Sequence, residues 1–152
     1  MSDKLTKLLA TFFYIGDVPV APGTLASLVG LLIYIVLYEQ KIVFIVLMFA
    51  VLIAGFLVSG RMEKIVKQKD PSCIVIDEVA GSMIAFCFLP ITVPVLFTAF
   101  FLFRAFDMFK IYPMNTLENR PGALGVMMDD VVAGLYTNIT MQVAIRLVGM
   151  VK

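Results

Sequence analysis

The sequence predicts an all-α membrane protein, a polytopic integral bundle of about five membrane helices with an interfacial N-terminal helix. Hydrophobic residues make up 61% of the 152 residues and charged residues only 15%, whereas soluble domains contain about 45–50% apolar and about 25% charged residues. The mean hydropathy is +1.01. The apolar residues also form long runs without charges, and the polar residues lie between those runs. Residues 1–152 are therefore expected to form a single membrane-embedded domain.

The first elements are predicted from the charge-free runs in chain order, because a spanning helix needs about 20 apolar residues. An amphipathic segment, Lys4–Tyr14, is expected to lie at the membrane interface. The first membrane helix is expected within Val18–Tyr38, mainly in Leu25–Tyr38, and the second at Ile42–Gly60. The segment Arg61–Asp70 that follows is polar and is expected outside the membrane.

The next apolar run, residues 79–103, contains Pro90 and Pro94, so it is compatible with one kinked span or with a hairpin. Each proline removes a backbone donor and disfavours helix at the residue before it. These effects favour the hairpin, with helices at Ile74–Leu89 and Val93–Phe109. The last membrane helix is predicted at Val131–Ile145.

The positive residues predict the orientation. They lie before the first span, after the second, and between the fourth and fifth, whereas the loop after the first span carries only Lys41. Cytoplasmic loops are enriched in lysine and arginine, which predicts that the N-terminus and the two longer loops face the cytoplasm. The residues concerned are Lys4, Lys7, Arg61, Lys64, Lys67, Lys69, Lys110 and Arg120.

The composition excludes several kinds of chemistry. The chain has no histidine, so imidazole cannot serve as a base, a nucleophile or a metal ligand. Cys73 and Cys87 are the two cysteines, both in apolar stretches, and they are expected to be buried hydrophobic residues. A net charge of +1 leaves no broad basic surface for a nucleic acid, so no nucleic-acid partner is expected.

With this topology, four polar motifs lie at the cytoplasmic boundary although they are far apart in sequence. Two of them open helices early in the bundle: Pro22-Gly23-Thr24 opens the first membrane helix, and Asp77-Glu78 opens the third. The other two lie later in the chain: Arg104, Asp107 and Lys110 close the fourth helix, and Asp129-Asp130 opens the fifth. Five carboxylates are thus expected to meet within a small volume.

Two cations do not neutralise five anions, so a divalent metal ion is the simplest way to stabilise this cluster. Oxygen ligands without histidine or thiolate favour Mg²⁺, with Mn²⁺ as an alternative. Arg104 is suited to bind a phosphate group bidentately, and Lys110 adds a point charge. The backbone N–H groups at Gly23 and Thr24 are suited to bind an anion at a helix start. The site is therefore expected to act on a phosphate group.

Other interpretations of the same residues remain open at this point. The acids are compatible with ordinary first turns of helices, and Arg104 with Asp107 is compatible with a plain ion pair. A small transporter or ion-binding membrane protein is a second possibility, because acids within membrane helices often mark ion pathways. A structural subunit whose acids only cap helices is a third possibility.

Four ordered motifs over residues 10–140 resemble the phosphatidylglycerophosphatase A family. The motifs are the stretches Gly16–Leu28 (GDVPVAPGTLASL), Asp70–Gly81 (DPSCIVIDEVAG), Phe103–Lys110 (FRAFDMFK) and Gly125–Gly134 (GVMMDDVVAG). The resemblance implies a Mg²⁺-dependent phosphatase in a bacterial cytoplasmic membrane, with its active site on the cytoplasmic side. Its substrate would be phosphatidylglycerophosphate, which it would hydrolyse to phosphatidylglycerol and phosphate in phospholipid synthesis.

The resemblance maps the family's acidic and basic motif residues onto the acids of the four motifs and onto Arg104 and Lys110. The convergence of these residues at one leaflet gives a hypothesis for their roles. Asp77, Glu78, Asp129 and Asp130 are expected to hold the metal ion, and Thr24, Arg104 and Lys110 to bind the substrate phosphate. Asp107, Asp130 and Lys110 are the expected catalytic residues, with Asp107 as a ligand or as the base. The membrane phospholipid is the expected partner, and the sequence does not indicate an oligomeric state.

Overall fold

The computed structural model describes residues 2–117 and 120–151, which fold into helices joined by short turns and contain no β-strand. This confirms the all-α prediction. The helices are α1 (Asp3–Ala10), α2 (Pro22–Val36), α3 (Lys41–Val66), α4 (Ile76–Phe86), α5 (Val93–Phe109), α6 (Met114–Leu117) and α7 (Ala123–Val151), with a 3₁₀ turn at Ile15–Asp17.

The short helix α4 forms the centre of the bundle. Nine of its 11 residues are buried, and it packs against α2, α3, α5 and α7. Glycines allow two of these neighbours to approach the α4 backbone closely, since a side chain at those positions would fill the gap. Gly30 of α2 lies against Val79 and Ser82, and Gly134 of α7 lies against the carbonyl group of Gly81. The polar start of α4 is therefore held firmly between its neighbours.

The predicted hairpin is present, because α4 ends at Phe86 and α5 begins at Val93. Side chains from other helices bind the free carbonyl groups at this end of α4. Asn138 Nδ2 of α7 donates to the carbonyl oxygens of Ala85 and Cys87, at 3.1 and 2.7 Å, and the Tyr34 hydroxyl donates to that of Leu89. Backbone groups that the turn leaves unpaired are thus satisfied without water, which matters in an apolar surrounding.

Two helices are long and apolar enough to cross a membrane, namely Lys41–Val66 and Ala123–Gly149, and Pro22–Val36 is a shorter apolar helix. Many large apolar side chains of these helices face outward, among them Leu32, Ile42 and Leu57. Helix α4 has 11 residues and is about 16 Å long at 1.5 Å per residue, against about 30 Å for a bilayer core. The helix lengths do not establish the predicted five spans.

Several predicted boundaries were wrong. Helix α7 ends at Val151 instead of Ile145, and α4 spans Ile76–Phe86 instead of Ile74–Leu89. Helix α7 begins at Ala123, so Asp129 and Asp130 lie two turns inside the helix and do not open it. The charge-free criterion failed there because the two acids point into the bundle, where Asp129 and Asp130 are 7% and 3% exposed. Helix α3 continues through the polar segment to Val66. Helix α1 ends at Ala10, because the residues 12–14 that follow have positive φ angles, which a helix does not allow.

Candidate active site

Three carboxylates from two helices form a compact cluster. Asp77 and Glu78 lie in the first turn of α4, and Asp130 lies on α7. One oxygen atom from each of the three lies within 4.8 Å of the others. The two helices meet at Gly81, which lies one turn after Asp77. The Cα of Gly81 lies against the backbone carbonyl of Asp130. A side chain at Gly81 would hold the two helices, and so the acids, further apart.

The cluster is buried and incompletely paired. Asp77 is 6% exposed and Asp130 is 3% exposed. Within the described part of the chain, three buried carboxylate oxygens have no hydrogen-bond partner: Asp77 Oδ1, Glu78 Oε2 and Asp130 Oδ1. Buried polar atoms are normally paired, and burying several like charges together is costly. Three clustered carboxylates, each with one unpaired buried oxygen, fit the donor set of a hard divalent cation.

Two ion pairs border the carboxylate cluster. On α5, Arg104 Nη1 donates to Asp107 Oδ2 at 2.5 Å. Lys110, which follows α5, donates to Asp129 Oδ2 at 3.0 Å. The Asp107 carboxyl group lies beside that of Asp130, and Arg104 and Asp107 both lie close enough to act on Glu78 electrostatically. Motifs from α4, α5 and α7 therefore meet at one site, as the sequence predicted.

Asp129 lies at the edge of the cluster and is already paired. Its Oδ2 accepts from Lys110, and its Oδ1 accepts from the backbone N–H of Asp130 at 3.0 Å. The three acids that cluster within 4.8 Å are Asp77, Glu78 and Asp130, and each of them has one unpaired buried oxygen. In this arrangement Asp129 fixes the position of Lys110, and its predicted role as a fourth metal ligand stays a prediction.

The start of α2 also lies next to the carboxylate cluster. Gly23 is buried, and its Cα lies against the carboxylate of Glu78, so that a Cβ there would overlap Oε1. Thr24 follows in the first turn of α2 and is half-buried. The first N–H groups of a helix have no acceptor within that helix, so this end of α2 presents donors next to the acids. The predicted Gly-Thr element thus lies beside the cluster.

Asp70 is a further acid that the sequence reasoning did not single out. Its carboxylate is close enough to add negative charge at both Asp77 and Asp129, and its backbone N–H donates to Glu63 Oε1 at 2.8 Å. Asp70 has a positive φ of 45°, so the chain turns sharply there before entering α4. The available signal was its position at the start of the motif that contains Asp77 and Glu78.

The N-terminal segment supports the entry into α4. The backbone N–H of Val75 donates to the carbonyl of Ala10 at 3.0 Å, and Gly16 lies against the backbone of Cys73. Burial raises the pKa of the Cys73 thiol, which favours its protonated form at neutral pH. Cys73 and Cys87 are both half-buried, so the prediction that they are buried hydrophobic residues is confirmed only in part.

The chain is similar to known lipid phosphatases. The family described as Phosphatidylglycerophosphatase A matches residues 8–145. A Bacteroides thetaiotaomicron protein named "Putative phosphatidylinositol-3-phosphatase" is 35% identical over 95% of this chain and 96% of its own length. Proteins named "Phosphatidylglycerophosphatase A" from Haemophilus influenzae and Escherichia coli K12 are each 32% identical, over 87% and 86% of this chain and 83% and 77% of their own lengths. No solved structure matches the chain.

These similarities agree with the site in the structure, because they cover the segments that carry all four polar motifs. They favour an enzyme over the transporter and the structural subunit that the sequence also allowed. The match extends over most of the chain at more than 30% identity. The chain therefore belongs to the phosphatidylglycerophosphatase A family and is a phosphatase that hydrolyses a phosphate monoester.

Proposed function

We propose that this protein is a Mg²⁺-dependent phosphatase that removes the terminal phosphate of phosphatidylglycerophosphate and releases phosphatidylglycerol in a bacterial cytoplasmic membrane. The observation that carries the proposal is the cluster of Asp77, Glu78 and Asp130. One carboxylate oxygen of each residue lies within 4.8 Å of the others, and each residue also has one buried oxygen without a hydrogen-bond partner. Basic side chains and a helix start surround this cluster, as a site for a phosphate group requires.

Asp77, Glu78 and Asp130 would hold the metal ion. A bound Mg²⁺ would offset two of the three negative charges of these carboxylates and polarise the phosphoryl oxygens of the substrate. Mg²⁺ prefers oxygen ligands and is commonly bound by carboxylates together with substrate phosphate oxygens. Mn²⁺ is expected to substitute, because it prefers the same oxygen ligands.

Arg104 and Lys110 would bind the phosphate. Their side chains are 17% and 26% exposed, so they are partly dehydrated and already oriented by their acidic partners. The N–H groups at Gly23 and Thr24 would hold another oxygen of the same phosphate. Lys110 would balance the charge that develops during phosphoryl transfer.

A carboxylate has to serve as the base, because the chain has no histidine. Asp107 is the side chain that we assign to this role, since it lies next to Asp130 and is held in place by Arg104. It would accept a proton from the attacking water, while the alcohol of the head group leaves and takes up a proton.

The membrane arrangement is part of the proposal. We expect five membrane helices, α2 to α5 and α7, with the short α4 enclosed by the others. Arg61 and Lys64 lie at the end of α3, and Gly60 contacts the start of α7 at Ala123, so the basic residues and the carboxylate cluster share one end of the bundle. Under the positive-inside rule this end faces the cytoplasm. A phosphate in the lipid head group would then reach the site from the inner leaflet.

A second substrate is favoured by one specific observation. The relative named "Putative phosphatidylinositol-3-phosphatase" is 35% identical and matches along 96% of its length, which is more than either relative named "Phosphatidylglycerophosphatase A". A phosphoinositide phosphorylated at the inositol 3-position is therefore the alternative substrate. Both lipids present a phosphate monoester on an anionic head group, so the same site chemistry serves either one.

Phosphate release from both lipids tests the proposal. The purified protein in detergent micelles would receive phosphatidylglycerophosphate or phosphatidylinositol 3-phosphate, each with Mg²⁺ or with excess EDTA. We expect release from phosphatidylglycerophosphate with Mg²⁺ only. Asp130→Asn should lower kcat by at least about 10²-fold, because it removes one of three ligand carboxylates. The matched control is Asp3→Asn, because Asp3 is an exposed acid whose side chain is 72% accessible.

Three outcomes would contradict the proposal. Release that survives both EDTA and Asp130→Asn would exclude the metal site. Faster release from the phosphoinositide would replace the first substrate with the second. Equal losses in Asp130→Asn and Asp3→Asn would show that the cluster has no special role.

A further inference from the structure

The surface between α2 and α5 carries an apolar groove. Its walls include Leu28 and Leu31 from α2 and Phe97, Phe100 and Phe101 from α5, and every lining residue is apolar. The outer side chains are well exposed, with Phe97 at 63% and Phe101 at 54%. We propose that this groove binds an acyl chain of the phospholipid substrate while its head group occupies the carboxylate site. This inference rests on the proposed function.

The α5 wall leads directly to the phosphate-binding arginine. Phe101, Phe100 and Phe97 precede Arg104 by three, four and seven residues. Residues at these spacings lie on one face of an α-helix. The seven-residue separation corresponds to about 10 Å along the helix axis, at 1.5 Å per residue. Arg104 thus forms the polar end of the same stripe that lines the groove.

The α2 wall has the same arrangement. Leu28 and Leu31 follow Thr24 by four and seven residues, so they share the helix face of Thr24. Gly23, next to Thr24, lies against Glu78, and Arg104 lies close enough to act on that same carboxylate. Both walls therefore converge on Glu78, and a lipid with its phosphate there would extend its chains between the two helices.

A second apolar groove lies elsewhere on the surface and serves as a comparison for the first. It lies between α2 and α3 and is lined by Leu32, Val36 and Leu47 among others. Leu47 is near the start of α3, whereas the end of α3 is the one next to the start of α7. The second groove is therefore displaced toward the end of the bundle away from the carboxylates. It provides a control of similar chemistry.

The test compares chain lengths, because a merely structural role would affect all substrates alike. Phosphate release would be measured with dipalmitoyl and dihexanoyl phosphatidylglycerophosphate in mixed micelles. Leu28→Trp fills the groove and should lower kcat/KM for the dipalmitoyl substrate roughly tenfold or more, with a loss of at most about twofold for the dihexanoyl substrate. Leu32→Trp, on the same helix but in the second groove, should leave both values unchanged within about twofold.

A second pair of variants removes contacts instead of blocking the groove. Phe97→Ala should lower kcat/KM for the dipalmitoyl substrate roughly fivefold. The control Phe49→Ala makes the same change on α3, where Phe49 is 52% exposed, and should have no effect. Both side chains are largely outside the core, so neither change is expected to unfold the protein. Equal effects of the groove and control variants, or equal losses for the two chain lengths, would overturn the inference.

A fluorescence experiment distinguishes a failure of the groove inference from a failure of the proposed function. The chain contains no tryptophan, so Phe97→Trp introduces a single reporter in the groove and Phe49→Trp a reporter elsewhere. Substrate brominated on its acyl chains, diluted into unbrominated lipid without metal, should quench Phe97→Trp more strongly than Phe49→Trp. Equal quenching would refute the groove site even if the enzyme is active. Stronger quenching at Phe97→Trp without phosphate release by the wild type would support the groove and refute the proposed reaction.

Discussion

The contact between α4 and α7 at Gly81 should control the metal site. A Cβ atom added at Gly81 would lie 2.7 Å from the carbonyl oxygen of Asp130, whereas ordinary contacts begin at 3.4 Å. Gly81→Ala therefore has to separate the two backbones by roughly 0.7 Å, since neither partner is a flexible side chain. Asp77 is one turn away on the same face of α4, so this shift also separates its carboxylate from that of Asp130.

The expected effect is large for activity and moderate for stability. A displacement near 1 Å in a catalytic site costs about 10²-fold in rate, so kcat/KM should fall roughly tenfold to hundredfold in Gly81→Ala. Overpacking of a well-packed contact typically costs about 1–3 kcal/mol, which should lower the thermal midpoint without abolishing folding. The Mg²⁺ concentration for half-maximal activity should also rise about tenfold or more, because the ligand oxygens are further apart.

The assay is phosphate release from phosphatidylglycerophosphate as a function of Mg²⁺, together with thermal unfolding in the same detergent. Gly149→Ala is the matched control, because Gly149 also lies in a helix and a Cβ there would have nothing within 4 Å. Alanine is favoured over glycine in a helix by about 0.8–1 kcal/mol, so this control should be active and slightly more stable. If Gly81→Ala has the Mg²⁺ dependence and kcat/KM of Gly149→Ala, the helix spacing does not set the site geometry.

Three other substitutions test separate contacts. Gly23→Ala should raise the Mg²⁺ requirement several-fold with little loss of stability, because it displaces only the flexible carboxylate of Glu78; an unchanged Mg²⁺ titration would contradict this. Lys110→Gln should lower kcat/KM by about 10²-fold. Lys110→Arg should retain part of the activity, because it keeps the positive charge beside Asp129. Equal activities of the two Lys110 variants would exclude a role for the charge. Asn138→Ala should lower stability by about 1–3 kcal/mol in thermal unfolding, because two carbonyl groups at the end of α4 lose their donor; wild-type stability would refute that role.

Local signals predicted much of this structure. Pro90 and Pro94 indicated the hairpin, and helix α5 has the predicted bounds, Val93–Phe109. The charge pattern also indicated that Asp77 and Asp130 would meet, because the topology it predicts places both motifs at the same membrane boundary. These features were predictable because each one depends on a few neighbouring residues and on the surrounding medium.

Other features depend on contacts between distant residues. The start of α7 was misjudged because the helix tolerates Asp129 and Asp130 where they point at α4 and at Lys110. The approach of α7 to α4 depends on Gly81 and Gly134, and nothing near either glycine in the sequence indicates its partner. Asp70 was missed as a site residue for the same reason, since only the turn before α4 brings it near the cluster.

The enclosure of α4 has a consequence for how the enzyme would respond to its membrane. Helices in contact with lipid tilt or shift when the thickness of the hydrocarbon layer differs from their apolar length. Nine of the 11 residues of α4 are buried, so the surrounding helices would take up such a mismatch and α4, which carries Asp77 and Glu78, would not meet the acyl chains of bulk lipid. Turnover should then vary little between membranes of different thickness, provided that the substrate remains within reach.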